Sequence, residues 1–415
     1  MSKADTCIVI GGGVAGLWTA WALADSGINV TLLDAGKVGS GASWGNAGWI
    51  CPAQTGPLPE PGLILHGIKD LAKQDSALHF TPSALLRMGP WLAQFARYCN
   101  QRAYDKGVEA LTTLGYPSFK LIEQLGLDRH CDKTGVMAVA KRRSDVEHFV
   151  ERLTLLTALG QEPPGEILSG DAVQDVEPVI GRGQSAVLIK NHWQIIPDRF
   201  TAALADEVRR AGVTIVEHQR VSSFDAHHGI VHAVRTAEGA HAADCVVIAA
   251  GAQTADLTRQ LGYPMPLIGG KGYSIDVVPT RMPKQAVMGL DTHIAVSPMG
   301  GQMRIAGIME FSTSPETIAK PRVDALKRSA ANLVGSWTKE SVPWTGLRPV
   351  APDGLPLIGR LAPASNVFVA TGYSMLGMTI SPAAGTFLAR SIIDGDDGAT
   401  GPFSPQRFRK RHIQM

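Results

Sequence analysis

A tight glycine turn between a strand and a helix, near the N-terminus, most constrains how this chain can fold. Residues 7–10 are apolar and rich in β-branched side chains, which is typical of a buried parallel strand. The sequence GGGVAG follows directly at residues 11–16, and residues 17–23 then open a helix. Residues 29–33 predict the next strand, which ends at Asp34. This order of strand, glycine turn, helix, strand and acid is the order that a dinucleotide site requires.

The residues of this turn have separate physical roles. Gly11 permits the sharp turn out of the strand, Gly13 lets backbone approach a pyrophosphate, and Gly16 lets the helix pack closely on the strand. The helix that begins near Val14 and Ala15 offers unpaired N–H groups and a positive dipole end to phosphates. A glycine-rich turn without a ligand is the alternative interpretation, but the flanking elements favour a dinucleotide.

The end of the second predicted strand indicates how the nucleotide is held. Asp34 can accept hydrogen bonds from ribose hydroxyls and would repel a 2′-phosphate. Residues 36–48 are then rich in glycine and serine, which is typical either of a flexible surface loop or of backbone lying flat against a ligand. Because this stretch follows Asp34 so closely, we favour the second interpretation.

Composition excludes several classes of protein. The 415 residues can bury a large core in about two domains, and the formal net charge of +2 gives no strong attraction to nucleic acid. The five cysteines are scattered, with no CxxC pair and no metal-ligand spacing, so we predict no metal site and a reducing compartment. A signal peptide and a bilayer-spanning apolar stretch are both lacking, so we expect a cytoplasmic protein.

Segments typical of a dinucleotide-binding domain alternate with other structure along the chain. Residues 197–210 and 213–216 predict a further helix and strand, whereas residues 269–312 alternate as in an antiparallel sheet. We therefore predict an α/β fold in which a Rossmann-like domain is interleaved with an α+β domain built on an antiparallel sheet. The first predicted domain comprises residues 1–58, 190–267 and 344–415, and the second comprises residues 59–189 and 268–343.

Several motifs of this chain, taken in order, resemble those of the flavoproteins of the D-amino acid oxidase and glycine oxidase group. They are the glycine turn with Asp34, residues 43–48, residues 271–274, the segment around Arg348, and residues 371–372. The likeness is strongest to the bacterial FAD-dependent D-amino acid dehydrogenases and spans nearly the whole chain. It implies a FAD-binding domain, a substrate domain, and a small amino acid or secondary amine as substrate.

The resemblance also implies how FAD is bound. Ser43 and Asn46 are expected to contact phosphate or ring edges, and the helix that begins at Gly377 is expected to face the oxygen edge of the flavin. Residues 39–43 hold no histidine or cysteine that would attach the flavin, so we expect FAD to be bound non-covalently. The predicted cofactor-binding residues are Gly11, Gly13, Val14, Ala15, Gly16, Asp34, Ala35, Ser43, Asn46, Ala47, Gly48, Val221, Ala250, Gly251, Gly372, Leu376, Gly377, Met378 and Thr379.

Three residues are the predicted catalytic set. Arg348 is expected to bind the substrate carboxylate bidentately, with an interdomain salt bridge as the alternative. Tyr273 could donate a second hydrogen bond to that carboxylate or simply pack on its sheet. Tyr373 could lie beside the substrate or close the core at a strand end, and relatives often carry a histidine at its position.

Other candidates have weaker support from the sequence. Trp49 could wall the pocket or belong to the core, whereas Arg304 and His293 are expected to be solvated or paired structurally. Asp353 is expected to fix the loop after Arg348 and not to act as a base.

The implied reaction is oxidative deamination of a D-amino acid. A hydride would pass from the α-carbon to flavin N5, and water would hydrolyse the resulting imine to an oxo acid. Oxygen, a quinone or another carrier would then accept the electrons. The alternatives are oxidation of hydroxyproline-, proline- or sarcosine-like secondary amino acids, or a flavin-binding subunit without amine chemistry.

Contact with a membrane surface is a further hypothesis. Residues 62–69 are apolar enough to touch a bilayer, and the basic residues 407–411 could attract anionic lipid. A buried turn and a solvated tail are the favoured interpretations of these two stretches.

Overall fold

The computed structural model describes residues 4–63, 78–312, 317–362, 364–395 and 401–408. The strands are β1 Thr6–Ile10, β2 Asn29–Leu33, β3 Trp49–Ile50, β4 Leu78–Phe80, β5 Cys131–Asp132, β6 Val136–Ala140, β7 Ile167–Ser169, β8 Ser185–Ile189, β9 Trp193–Ile195, β10 Thr214–Val216, β11 Ser223–His227, β12 Ile230–Thr236, β13 Gly239–Ala242, β14 Cys245–Ile248, β15 Ile268–Pro279, β16 Ala286–Gly289, β17 Ile294–Met299, β18 Gln302–Phe311, β19 Trp337–Glu340, β20 Trp344–Val350, β21 Leu357–Arg360 and β22 Val367–Thr371. The helices are α1 Val14–Asp25, α2 Pro82–Arg87, α3 Gly89–Tyr98, α4 Gln101–Gly115, α5 Pro117–Gln124, α6 Arg143–Ala158, α7 Asp171–Val176, α8 Pro197–Arg210, α9 Thr254–Gln260, α10 Lys320–Val334 and α11 Gly377–Asp394.

The first sheet has six strands in the order β10–β2–β1–β14–β22–β21, parallel except for β21. Both of its faces are covered, which explains why its strands are apolar at nearly every position. Side chains at alternate positions of β1, such as Cys7 and Val9, pack with α1, α8 and α11. Ile8 and Ile10 point to the other face, which packs beneath the β11–β12–β13 sheet. The strand, turn, helix and strand predicted at the N-terminus are therefore confirmed.

The helix layer over this sheet depends on two glycines. A Cβ at Gly16 would lie 1.8 Å from the carbonyl oxygen of Gly11, so α1 could not pack this closely on the turn with any other residue there. A Cβ at Gly385 would lie 2.7 Å from the backbone of Trp18, so the absence of a side chain there lets α11 pack directly against α1. The N-termini of both helices are thereby held side by side.

The second sheet has ten strands, eight of them in the order β19–β15–β18–β17–β16–β6–β8–β7. β20 pairs with β15, and β4 pairs with β18. The sequence predicted an antiparallel sheet, but the β16–β6 and β4–β18 pairs are parallel, so the sheet is mixed. Alternation along a strand shows which face is buried but not the direction of the strand's neighbours, which explains this correction.

The two sheets are built from alternating segments of the chain, and this confirms the predicted fold class. Every strand of the first sheet lies within the segments predicted for the Rossmann-like domain. β20 departs from the division, since it pairs with β15 over its whole length although residues 344–415 were predicted for the first domain. The division into two domains itself stays a prediction.

One residue of the basic C-terminal stretch, Arg407, forms an ion pair within the fold. The guanidinium of Arg407 pairs with both carboxylate oxygens of buried Asp353, at 2.6 and 3.0 Å, so Arg407 is not available to lipid as hypothesised. Asp353 fixes its loop, as predicted. Residues 64–69 and 409–411 lie outside the described residues, and among the helices described none is long and apolar enough to cross a bilayer.

His192 gives the fold a predicted acid sensitivity. Its ring is fully buried against Trp49, with centroids 5.2 Å apart, and neither ring nitrogen has a hydrogen-bond partner among the described residues. Burial lowers the pKa of His192 from 6.5 to about 3. Below pH 6.5 only the unfolded chain gains this proton, so the free energy of unfolding falls as the pH drops towards 3.

Replacing His192 by phenylalanine removes this dependence. From about pH 7.5 to about pH 5.5 we expect the free energy of unfolding to fall by about 1.4 kcal/mol more in the natural protein than in His192→Phe. Urea titrations at the two pH values measure it. His232→Phe, at an exposed strand position, should keep the natural dependence. Equal slopes for the natural protein and His192→Phe would contradict the prediction.

Candidate active site

One cavity of about 1810 Å³ lies between the two sheets. On one side it is bordered by the glycine turn, Asp34 and the stretch that follows, at the carboxyl ends of β1 and β2. On the other side it is bordered by Gly272 of β15 and Arg348 of β20. The N-terminus of α11 closes the space between them. The elongated cavity thus joins a predicted nucleotide site to a predicted carboxylate anchor.

Two helix N-termini open into this cavity. α1 begins after Gly13 and α11 begins after Leu376, and neither capping residue places a side-chain acceptor on the first N–H groups. The hydroxyl of Ser43 accepts from the N–H of Val14 at 3.1 Å, directly beside Gly13. The remaining N–H groups and the dipole of a helix N-terminus favour anionic oxygens. The positions of α1 and α11 therefore suit a long anionic ligand that reaches both.

The end of β2 is shaped by Asp34. Its carboxylate accepts from the N–H groups of Gly12, at 2.5 Å, and Gly36, at 2.7 Å, and borders the cavity. The Oε1 atom of Gln219, also at the cavity wall, is buried and has no hydrogen-bond partner among the described residues. An orphaned acceptor beside a carboxylate fits the hydroxyl groups of a ribose or the amino group of an adenine. Gln219 was not predicted from the sequence.

The glycine- and serine-rich stretch borders the cavity, and a buried arginine of the second sheet holds it. The guanidinium of Arg304 pairs with Asp276 at 2.7 and 2.9 Å and donates to the carbonyl oxygens of Trp44 and Asn46. The hydroxyl of Ser297 donates to the carbonyl of the adjoining Ala47 at 2.7 Å. The second sheet thus positions the backbone on which a flavin would lie, and Arg304 is structurally paired as expected.

Trp344 packs against the same stretch. A Cβ at Gly45 would lie 2.1 Å from its indole ring, and so would a Cβ at Gly346 of its own strand. Trp49, whose role was left open, borders the cavity and donates its indole N–H to Ser297 at 2.7 Å. Only residues without side chains allow the indole to lie between loop and strand, so the glycines here serve packing.

The side chain of Arg348 has room beside the cavity because Gly272, on the neighbouring strand, has no side chain. A Cβ at Gly272 would lie 2.3 Å from the guanidinium carbon of Arg348, so the guanidinium occupies the space that a side chain would fill. Its Nη1 atom donates to the carbonyl oxygen of Ile308 at 2.9 Å. Burial lowers the pKa of Arg348 to about 10, which leaves it protonated at neutral pH. Among the described residues no carboxylate pairs with it, which is unusual for a desolvated charge.

The backbone that accepts from Arg348 is strained. Ile308 has φ of 58°, in the left-handed region that a β-branched residue rarely adopts. It lies where the β15–β18 register shifts, as at a bulge, and this turns its carbonyl towards Arg348. Strained backbone and bulges are common next to functional sites. Sequence alone gives no sign of either.

Of the two interpretations of Tyr273, its contacts favour packing on the sheet over a hydrogen bond to the substrate carboxylate. β15 and β20 pair with Gly272 opposite Gly346 and Tyr273 opposite Thr345, so the Tyr273 side chain points to the face opposite Arg348. Its hydroxyl donates to buried Glu310 at 2.9 Å, and Lys271 pairs with the same carboxylate at 2.8 Å. Burial and the bond to Glu310 raise the pKa of Tyr273. Although Tyr273 borders the cavity, its hydroxyl forms a hydrogen bond between two strands of the second sheet.

Tyr373 and Ser374 follow β22 and border the cavity. Both hydroxyl oxygens are buried and have no hydrogen-bond partner among the described residues, and burial raises the pKa of Tyr373. Ser374 has φ of 49°, and its N–H donates to the carbonyl of Pro349 at 2.9 Å, directly after Arg348. Orphaned hydroxyls at a cavity wall indicate a ligand that supplies the missing partner.

Most predicted cofactor residues border the cavity. These are Gly11, Gly13, Val14, Ala15, Asp34, Ala35, Ser43, Asn46, Ala47, Val221, Ala250, Gly251, Leu376, Gly377, Met378 and Thr379. Gly16, Gly48 and Gly372 do not border it. Gly16 packs α1 on the turn, as its position predicted, and contact of these three glycines with FAD stays a prediction. A Cβ at Gly48 would lie 2.2 Å from the carbonyl of Ile195. Gly372 has φ of 77° and forms the turn after β22.

In the described ranges no three histidine, cysteine, aspartate or glutamate side chains are grouped so as to hold a metal ion.

The chain matches the family described as DAO, FAD dependent oxidoreductase, over residues 6–391, and it therefore belongs to this family of FAD-dependent oxidoreductases. A D-amino acid dehydrogenase of Agrobacterium fabrum (strain C58) is 29% identical over 404 residues, covering 94% of this chain and 95% of the relative. A protein of the same name from Methylobacterium sp. (strain 4-46) is 29% identical over 429 residues, covering 97% and 99%.

Solved structures share the fold. Glycine oxidase from Geobacillus kaustophilus has a TM-score of 0.72 at 23% identity and covers 100% of both chains. L-proline dehydrogenase from P. horikoshii has a TM-score of 0.73 at 18% identity and covers 98% of both chains. FAD is the cofactor of the family, and the paired helix N-termini, Asp34 and the orphaned acceptor of Gln219 fit it.

The Gly272→Ala variant tests whether the position of the Arg348 guanidinium depends on the absence of a side chain at residue 272. The added methyl group should displace the guanidinium, because no other arrangement relieves a 2.3 Å contact as easily as moving a flexible side-chain end. Losing a charge-assisted hydrogen bond should weaken binding of propanoate about tenfold or more, while FAD stays bound. Titration followed by tryptophan fluorescence measures it.

The matched control is Gly89→Ala, since a Cβ there meets nothing within 4 Å. Unchanged affinity for propanoate in Gly272→Ala would show that Arg348 does not bind carboxylates from this position.

Proposed function

We propose that this protein is a FAD-dependent D-amino acid dehydrogenase that converts a D-amino acid to an imine, which water hydrolyses to an oxo acid. The observation that carries the proposal is Arg348, a protonated guanidinium that borders the cavity without a carboxylate partner in the described part of the chain. A planar guanidinium binds a carboxylate bidentately. The names of the relatives from Agrobacterium fabrum and Methylobacterium support a D-amino acid as the substrate.

The chain's own residues bind and orient the substrate in this proposal. Arg348 holds the carboxylate, and Ile308 and Gly272 keep the guanidinium in one place. The hydroxyl of Tyr373, which is protonated at neutral pH and has no partner among the described residues, donates a hydrogen bond to the substrate in this proposal. When bound, FAD accepts the hydride that leaves the α-carbon.

Non-covalent binding of FAD is part of the proposal. Cys51 borders the cavity, but burial raises the pKa of its thiol to about 12, so a reactive thiolate is not present at neutral pH. Extraction with acid should therefore release all the flavin, and colour that remains with the precipitated protein would contradict this part.

The proposed electron acceptor is a quinone or another carrier, and the proposed location is the cytoplasm. The dehydrogenase names of the relatives support an acceptor other than oxygen. Reoxidation of the reduced protein by a soluble quinone should be faster than by air-saturated buffer, as stopped-flow absorbance measures. Fractionation of cells at low salt tests the location, since protein found in the membrane fraction would contradict it.

Arg348→Met tests the carboxylate anchor. Removing one partner of a desolvated charge pair costs about 2–5 kcal/mol, so kcat/KM for a D-amino acid should fall by about 30-fold to several thousand-fold. FAD content should not change, because Arg348 lies across the cavity from the nucleotide-binding turn. Anaerobic bleaching of the flavin across D-, L- and N-alkyl amino acids gives the rates. Arg390→Met, an exposed position on α11, is the control.

Two results would overturn the proposed function. Bleaching by no amine at all would favour a flavin-binding subunit, and bleaching by N-alkyl amino acids alone would favour a secondary-amine substrate.

Tyr373→Phe tests the orphaned hydroxyl. If the hydroxyl donates to the substrate, its loss should lower kcat/KM about fivefold to tenfold without lowering the thermal midpoint, because no protein partner is left unpaired. A change in thermal midpoint with unchanged kinetics would instead indicate a structural role.

A further inference from the structure

Resting on the proposed function, we propose that the substrates are amino acids with a long or aromatic apolar side chain. The structure supports a subsite for this side chain on the second sheet, formed by Ala306 of β18, Ala295 of β17 and Met288 of β16. All three residues border the cavity. We call them the alanine row.

The alanine row begins beside Arg348. Ala306 pairs with Ala295, and Ala295 pairs with Met288, so the three side chains share one face of the sheet. Ala306 also pairs with Ser274, two positions from Gly272 on the same strand face, the face to which Arg348 points. Neighbouring strands lie about 4.8 Å apart, so the row extends about 10 Å away from the anchor.

A row of small residues is not a site by itself, and the second observation is the orphaned hydroxyl of Tyr373. Tyr373 borders the same cavity and is only 4% exposed, and its buried Oη atom has no hydrogen-bond partner among the residues described. Together with Arg348 it supplies polar groups for the carboxylate and amine end of a substrate. The alanine row is then left for the side chain, because methyl groups leave open space above the sheet.

The far end of the row is apolar. Met288 packs against a cluster that includes Cys51, Ala53 and Phe149, all of which border the cavity. The Sδ atom of Met288 accepts from the side-chain amide of Gln54 at 3.1 Å, which fixes the methionine at the end of the row. A thioether among apolar side chains favours aliphatic or aromatic groups.

Four charged residues on this side of the cavity form two ion pairs. Arg142 pairs with Asp145 at 2.9 Å, and Arg152 pairs with Glu60 at 2.8 Å. Four ionic groups that neutralise one another give little attraction to a charged substrate side chain. The chemistry of the row therefore favours a large apolar side chain over an acidic or basic one.

Binding of simple carboxylates to the holoenzyme tests the subsite without turnover. The probes are acetate, butanoate, hexanoate and 3-phenylpropanoate, with dissociation constants from flavin absorbance and tryptophan fluorescence. Each methylene group buried on the row should tighten binding about fourfold, so hexanoate should bind at least tenfold more tightly than acetate. Equal affinities along the series would overturn the proposal.

The variant Ala306→Leu tests the location of the subsite. A leucine there fills the start of the row, so the ratio of kcat/KM for phenylalanine to that for alanine should fall tenfold or more, and the gain from acetate to hexanoate should disappear. Ala295→Leu is the second variant if the first does not fold. The control is Ala226→Leu, an exposed alanine on a strand of the β11–β12–β13 sheet, which should keep the natural ratio.

The outcomes separate the two proposals. Flavin that no amino acid bleaches overturns the proposed function. Bleaching by glycine and alanine alone, or an unchanged phenylalanine-to-alanine ratio in Ala306→Leu, overturns only the subsite. A lower ratio in Ala306→Leu, with the natural ratio in Ala226→Leu, supports it.

Discussion

The guanidinium of Arg348 lies where a side chain of Gly272 would be, and the chemistry proposed for this protein depends on that contact. Desolvating a charge that has no carboxylate partner costs free energy, so other contacts must stabilise the guanidinium in this position. Strained backbone at Ile308 turns its carbonyl towards the guanidinium. The N–H of Ser374 donates a hydrogen bond to the carbonyl of Pro349, the residue after Arg348. Together these contacts hold the guanidinium at the cavity without a carboxylate partner in the described part of the chain, which suits the anion-binding role that we propose.

The same cavity depends on how the two sheets meet. Arg304 and its partner Asp276 belong to the second sheet, but the guanidinium donates to carbonyls of the loop that leaves the first sheet. Trp344 lies between a glycine of that loop and a glycine of its own strand. These contacts fix the distance between the nucleotide-binding turn and the carboxylate anchor. In the arrangement that we propose, one sheet positions the substrate while the other binds most of the cofactor.

Local pattern predicted the parts of the site that depend on one segment of chain. The glycine turn, the acid at Asp34 and the glycine- and serine-rich stretch after it follow from residues close in sequence, because strand, turn and helix propensities act locally. Tyr273 shows what local pattern leaves open. The sequence allowed either a substrate contact or packing on the sheet, and strand alternation directs the hydroxyl to Glu310 on the face opposite Arg348. The space beside Gly48 is likewise filled by the distant strand β9, which no local pattern predicts.

The sequence by itself determined the Rossmann-like core, and it indicated the FAD site that we predict at the glycine turn and the arginine that we propose as an anchor. Only the tertiary structure decided which residues face one another across the cavity. Gln219, Ser374 and the alanine row come from segments far apart in the chain, and no periodicity links them. Register between strands and the crossing of two sheets set those neighbours, because side-chain direction depends on pairing partners that a single strand's pattern does not encode.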